Sequence, residues 1–182
     1  MAAQRLQLEN TALLVVDVQE RLCAAMERDA LERVLARTSA VVEGAQALGL
    51  PVLVTEQYPR GLGPTHSVLR LRLGALRPVE KVDFSAALPE VLGALGPRRQ
   101  VLLVGMETHV CVFQTARALA EAGYQPHVLA DAVLSRTAED RQVGLELCRE
   151  AGARISTVEA ALFDLLGRAG SPEFKRVSAA VK

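Results

Sequence analysis

Asp17, Lys81 and Cys111 each lie at or just past a short apolar run, where an open α/β sheet gathers its chemistry. A carboxylate, an ammonium and a thiol brought to one sheet edge would supply a base, a cation and a nucleophile. Cys111 is the strongest member. It sits in Gly105-Met106-Glu107-Thr108-His109-Val110-Cys111-Val112, between the buried-strand pattern Val101 to Val104 and a helical stretch. In the first turn of a helix, unpaired N–H groups and the helix dipole favour a thiolate. Such settings lower a thiol pKa from about 8.5 toward roughly 3.5 to 7.5. The other thiols lack that setting: Cys148 shares an apolar helix face with Gly144, Leu147 and Ala151 and reads as inert filling, and Cys23 is undecided.

Asp17 ends Leu13-Leu14-Val15-Val16-Asp17-Val18-Gln19, and a charge at the end of a buried strand is costly unless paired or used. Taken alone, it reads equally well as a helix cap or a structural ion pair. Lys81, in Val79-Glu80-Lys81-Val82-Asp83-Phe84-Ser85, could stabilise both a thiolate and a carboxylate, although spacing alone favours an exposed lysine. A metal finds no support. The histidines are His66, His109 and His127, none paired at ligand spacing, and the stretch after the second strand is Glu56-Gln57-Tyr58-Pro59. No P-loop and no G-x-G-x-x-G follows the first strand, so no nucleotide cofactor is expected.

These residues need a sheet to bring them together. From Asp29 the apolar positions Leu31, Val34, Leu35, Val41, Val42, Ala45 and Leu48 step by threes and fours, with Asp29 and Glu32 spaced as a capping box. Gly49 then closes that helix before the strand Pro51 to Thr55. The same helix, glycine, strand junction recurs at Gly123 and Gly152. With Thr11 to Val16, Val101 to Val104, Pro126 to Ala130, Ala153 to Thr157 and a stretch near Pro78 to Val82, about six strands alternate with helices near 29 to 48, 87 to 95, 110 to 122, 138 to 151 and 158 to 167. The expectation is an α/β fold, a doubly wound parallel sheet in three layers. Residues 57 to 77 read as the longest irregular stretch.

The 182 residues suit a single domain over 1–182. Charge balances at 21 basic and 21 acidic side chains, so no net field draws the chain to nucleic acid or to an anionic membrane. Aromatic residues make up 3% with no Trp, leaving few rings for base stacking. No apolar run approaches the roughly 20 residues that span a bilayer. The three cysteines, odd in number and irregularly spaced, suit free thiols in a reducing compartment. A cytoplasmic address is expected, with a nuclear or mitochondrial fraction left open.

Together, Val15-Val16-Asp17-Val18-Gln19, Val79 to Ser85 with its Lys81, and Gly105-x-x-Thr108-x-x-Cys111-Val112 resemble the isochorismatase-like cysteine hydrolase superfamily over nearly the whole chain. Thr55 to Gly63 and Val79 to Ser85 look most like its animal isochorismatase domain-containing branch. The resemblance implies a Rossmann-like six-stranded sheet of order 3-2-1-4-5-6 and an Asp17-Lys81-Cys111 triad. It also implies a cis peptide at Met106 and Glu107 and an oxyanion hole from the backbone N–H groups of Glu107 and Cys111. The implied reaction is cleavage of a small amide or related C–N bond through a thioester, without metal. Gln19, Tyr58, Phe84 and Thr108 would line the substrate pocket. The Asp-x-His metal motif of nicotinamidases is replaced by Glu56-Gln57-Tyr58. Two other readings stand beside this one: a non-catalytic regulatory or protein-binding member, and vinyl-ether hydrolysis with Asp17 as general acid, which needs no thiol. A homo-oligomer is expected, its interface drawn from the helices near 110 to 122 and 138 to 151, with Phe174 of the tail packing on a neighbouring subunit.

Overall fold

The first strand, β1 (Thr11–Val16), is buried along its whole length, as expected of the centre of a parallel sheet covered on both faces. Its side chains alternate between two cores: Leu13 and Val15 belong to one, Ala12, Leu14 and Val16 to the other. The structure, a computed structural model, describes residues 5–182; the first four residues of the expected 1–182 domain lie outside it.

After β1 the chain forms α1 (Glu20–Cys23), α2 (Arg28–Ala47), β2 (Val52–Gln57), α3 (Pro59–Leu62), α4 (Ser67–Leu73), β3 (Val79–Lys81) and α5 (Pro89–Leu95). It continues through β4 (Gln100–Met106), a π-helical turn (Thr108–Val112), α6 (Phe113–Glu121), β5 (Gln125–Leu134), α7 (Ala138–Glu150), β6 (Arg154–Ser156), α8 (Val158–Leu166) and α9 (Pro172–Ala180). The strands make one six-stranded sheet of order β3-β2-β1-β4-β5-β6, all pairs parallel. Apolar side chains of α2, α8 and α9 fill the core on one face, and those of α5, α6 and α7 fill the other. The three-layer, doubly wound architecture read from the sequence is the one observed.

Three local expectations are corrected. Residues 57 to 77 are not irregular, since α3 and α4 occupy much of that stretch; both are too short to show a clear helical period. The cap of α2 is Glu27, whose carboxylate accepts from the N–H groups of Asp29 and Ala30 at 2.8 Å, rather than Asp29. The helix expected from 110 opens instead as the π-helical turn. Within the chain, Phe174 lies edge-on against Phe163 with ring centroids 6.0 Å apart, and α9 folds back with Val177 in the α2 side of the core.

Two glycines are demanded by close approach. A Cβ on Gly105, at φ +124°, would overlap the Val16 carbonyl oxygen, so only glycine lets β4 pair with the end of β1. A Cβ on Gly144 in α7 would lie 2.6 Å from His109 N and 2.8 Å from Thr108 C. That helix therefore packs directly onto the backbone of the π-helical turn.

Candidate active site

Strand order converts three distant positions into one cluster. Val16 stands opposite Thr55 on one side and Gly105 on the other, and Gln57 stands opposite Lys81, so Asp17, Lys81 and the turn after β4 share the carboxyl edge of the sheet. Asp17 departs from the strand in the left-handed region, at φ 52°, a conformation that costs a non-glycine residue of order 1–3 kcal/mol. Asp17 N–H bonds the Thr55 carbonyl at 3.2 Å and its own carbonyl accepts from Gln19 N–H at 2.9 Å, which holds that conformation in place.

The Asp17 carboxylate is enclosed. Its Oδ2 lies 2.6 Å from Lys81 Nζ, with both side chains fully buried, and its Oδ1 accepts from Thr55 Oγ1 at 2.7 Å. Lys81 also donates to Gln57 Oε1 at 2.7 Å and to the carbonyls of Asp83 and Phe84 at 3.0 and 3.1 Å. The reading of Lys81 as an exposed lysine is thereby excluded: it is a buried cation surrounded by acceptors. Burial pushes the Asp17 pKa above the ordinary carboxylate value, against the opposing pull of Lys81, Thr55 and Cys111.

Cys111 sits in the π-helical turn and is buried. Its thiol is pushed up to about 12, first by burial and next by the negative charge of Asp17, against the smaller downward effects of Lys81 and the Glu107 backbone. This reverses the lowered thiol pKa expected from a helix N-terminus. Desolvation and a facing carboxylate outweigh the backbone dipoles, and both favour the protonated thiol. Cys23 and Cys148 are raised to about 12 as well; the neighbours, not the pKa, set Cys111 apart. Cys148 is fully buried among apolar residues, and Cys23 contacts Met106 Sδ at 3.8 Å.

The turn that carries Cys111 is held from three directions. Thr115 Oγ1 donates to the Cys111 carbonyl at 2.6 Å and accepts from Ala86 N–H at 2.8 Å, tying the turn to the segment after Lys81. Ser135 Oγ accepts from Thr108 N–H at 3.1 Å and lies 3.0 Å from His109 Nδ1. Glu107 Oε1 accepts from both the backbone N–H and the Nε of Arg136, at 3.1 and 3.0 Å. The Glu107 side chain thus serves as an anchor, leaving its backbone as the part that meets the thiol. The peptide Met106–Glu107 is cis.

The expected pocket residues divide. Gln19 is fully buried and its amide is occupied by backbone: Nε2 donates to the Gln57 and Gly63 carbonyls at 3.0 and 2.6 Å, and Oε1 accepts from Gln57 N–H at 2.7 Å. It braces the loop after β2. Thr108 is fully buried. Tyr58 and Phe84 are 56% and 52% exposed, and Phe84 borders a hollow of about 460 Å³ with Val82, Asp83, Ser85 and Gln114. Sequence reasoning missed Thr55, Gln57, Thr115, Ser135 and Arg136. The available signal was their position, polar residues at the ends of β2 and β5 or one helical turn past the cysteine.

No group of three or more His, Cys, Asp and Glu side chains is gathered for a metal among the described residues. Glu56, where the sequence departs from a metal motif, is engaged by Thr65, accepting from its N–H and Oγ1 at 2.6 Å. No described helix is long and apolar enough to cross a membrane.

Residues 11–160 match the sequence profile described as Isochorismatase domain. The chain is 41% identical to the secreted isochorismatase effector Isc1 of Phytophthora sojae, over 98% of this chain and 87% of that protein. It is 38% identical to isochorismatase domain-containing protein 2 of Bos taurus, over 95% of this chain and 83% of that protein. Among solved structures, the MAR1 ribonuclease of Caenorhabditis elegans superposes with a TM-score of 0.92 at 36% identity, covering 98% of this chain and 92% of that one.

Proposed function

We propose, because the chain belongs to the isochorismatase domain family, that it is a cysteine hydrolase that cleaves a small amide or related C–N bond with Asp17, Lys81 and Cys111. The single observation that carries this reading is the arrangement around Asp17. The buried Asp17 carboxylate lies 2.6 Å from the buried Lys81 ammonium and shares a hydrogen bond with the Cys111 thiol, while burial raises its pKa. A general base is most useful when its pKa is brought toward the pH at which it works.

In this mechanism Asp17 removes the Cys111 proton as sulfur attacks the carbonyl carbon. The new oxyanion is met by the N–H groups of Glu107 and Cys111, donors typically worth about 2.7–4 kcal/mol in the transition state. The C–N bond breaks as the proton passes from Asp17 to nitrogen, and an amine or ammonia leaves. Water, deprotonated by Asp17, then cleaves the thioester to release a carboxylic acid and restore the thiol. Lys81 keeps Asp17 ionised between steps. No step calls on a metal or cofactor. Tyr58 and Phe84 would line the mouth, which a second copy of the chain would complete.

The test is a panel of small amides assayed with wild type, Cys111→Ala and Asp17→Asn, with the acyl-enzyme sought by mass spectrometry. Turnover lost in both variants and an adduct on Cys111 support the reading. Amide turnover kept in Cys111→Ala overturns the thiol's role, cleavage of an added vinyl-ether substrate that survives Cys111→Ala favours vinyl-ether hydrolysis, and a fully inert panel favours a regulatory member of the family. The ribonuclease name of the C. elegans relative supplies one more substrate for the panel, RNA. Balanced charge and a buried carboxylate beside the thiol both disfavour phosphate there.

A further inference from the structure

Away from the triad, a groove of about 920 Å³ opens between α2, the end of β5 and the last residues after α9. Its floor includes Ala30, Val34 and Leu134, and four guanidinium groups line it: Arg33, Arg37, Arg136 and Arg141. Three carboxylates face these four guanidinium groups: Glu27 and Asp131 on the walls, and Glu107, which pairs with Arg136 at 3.0 Å. Glu27 caps α2 through Asp29 and Ala30, and Asp131 accepts from Val158 N–H at 2.8 Å and faces Arg37 at 3.8 Å. Arg141 donates to the carbonyls of Val133 and Ala130, which do not cancel its charge. The groove therefore combines an apolar floor with an excess of planar cations, and arginine pairs bidentately with carboxylates and phosphates. At several hundred cubic ångströms it has the size of a small-molecule site.

We propose that this groove binds an organic anion with an apolar body, such as an acyl carboxylate, and that the bound anion acts on the nucleophile turn. The link is short. Ser135 and Arg136 form part of the groove wall and are the same residues that hold Thr108, His109 and Glu107, just ahead of Cys111. A carboxylate that engages the Arg136 guanidinium competes with Glu107 Oε1 for it. The binding claim is independent of catalysis; the effect on the turn is read on the Cys111 thiol itself and rests on the proposed site only for its functional meaning.

Titration calorimetry with sodium decanoate tests the groove on the full chain. The probe should bind wild type, bind at least tenfold more weakly to Arg33→Glu and to Ala30→Trp, and bind Cys111→Ala unchanged. Arg33 is exposed on α2, so its variant is expected to fold, and circular dichroism checks both. Inorganic phosphate should bind at least tenfold more weakly than decanoate. At saturation, the rate of Cys111 alkylation by iodoacetamide should change at least twofold in wild type and not in Arg33→Glu. No decanoate binding, binding indifferent to the groove variants, binding lost in Cys111→Ala, or phosphate binding as tightly as decanoate overturns the site. An unchanged alkylation rate overturns the coupling. These readouts need no turnover, so they test the groove even if every amide in the panel proves inert.

Discussion

Asp17 directly follows β1 and Lys81 ends β3, strands separated by β2 in the sheet order, yet their charged atoms lie 2.6 Å apart. Neighbouring strands are about 4.8 Å apart, so the lysine must extend across the end of β2 to reach the carboxylate. Gln57, its register partner on β2, accepts from the ammonium on the way, at 2.7 Å. The pair is thus a strut across three strands, and its burial decides how each variant behaves.

Replacing Lys81 by Met leaves Asp17 as an uncompensated buried charge and should destabilise the fold by about 3–5 kcal/mol. Replacing both, as Asp17→Asn with Lys81→Met, should recover a large part of that loss. Urea unfolding of the wild type, both single variants and the double variant measures the coupling. A double variant no more stable than Lys81→Met would mean that the pair is not what holds this edge together.

The Cys111 thiol, raised to about 12, should alkylate slowly at pH 7 and speed up with pH without levelling off below pH 10. Asp17 is one source of that rise. Asp17→Asn should therefore alkylate several-fold faster than wild type at pH 8 while losing about 10²–10⁴ in amide turnover, the usual contribution of a general base. Peptide mass spectrometry separates Cys111 from Cys23 and Cys148. Slower alkylation in Asp17→Asn would indicate that the carboxylate holds a preformed thiolate instead.

Gly144→Ala places a methyl 2.6 Å from His109 N, so α7 and the π-helical turn must separate. Overpacking of this kind costs about 1–3 kcal/mol. Because the displaced backbone leads to Cys111, turnover should fall at least tenfold in protein that remains folded at assay temperature. Activity equal to wild type, with the expected fall in thermal midpoint, would mean that the turn tolerates displacement.

His127 is buried in β5, and burial with the nearby Arg154 lowers its pKa from 6.5 to about 4. Between those values the unfolded chain binds more protons than the folded one, so stability rises with pH across that window and is lost as pH falls through it. From pH 7 to pH 5 the loss assignable to His127 is about 2 kcal/mol. Denaturant unfolding of wild type and His127→Gln at both pH values checks it: the variant should show a shallower dependence by about that amount.

Local pattern carried a large part of this architecture. Apolar runs, three-and-four spacing and the glycines after α2, α6 and α7 marked the strands and major helices, and polar residues at strand ends marked Asp17, Lys81 and Cys111. The short helices α3 and α4 gave too little period to detect, and the Glu27 cap depended on where α2 begins. Contacts made by chain segments far apart were beyond that reading. Thr55 and Gln57 matter only because β2 lies between β1 and β3, and Ser135 and Arg136 because the end of β5 meets the turn after β4.

The sign of the Cys111 pKa shift shows the division most clearly. From its neighbours in sequence, the thiol has only helix dipoles, which favour the thiolate. Folding adds desolvation and a carboxylate delivered from residue 17, both favouring the protonated form, and these are stronger in a dry interior. Sequence by itself determined which residue types reach the edge of the sheet, because strand and helix periods are written in adjacent residues. Tertiary structure decided which of them touch and in what charge state, because register and burial exist only after distant segments pack.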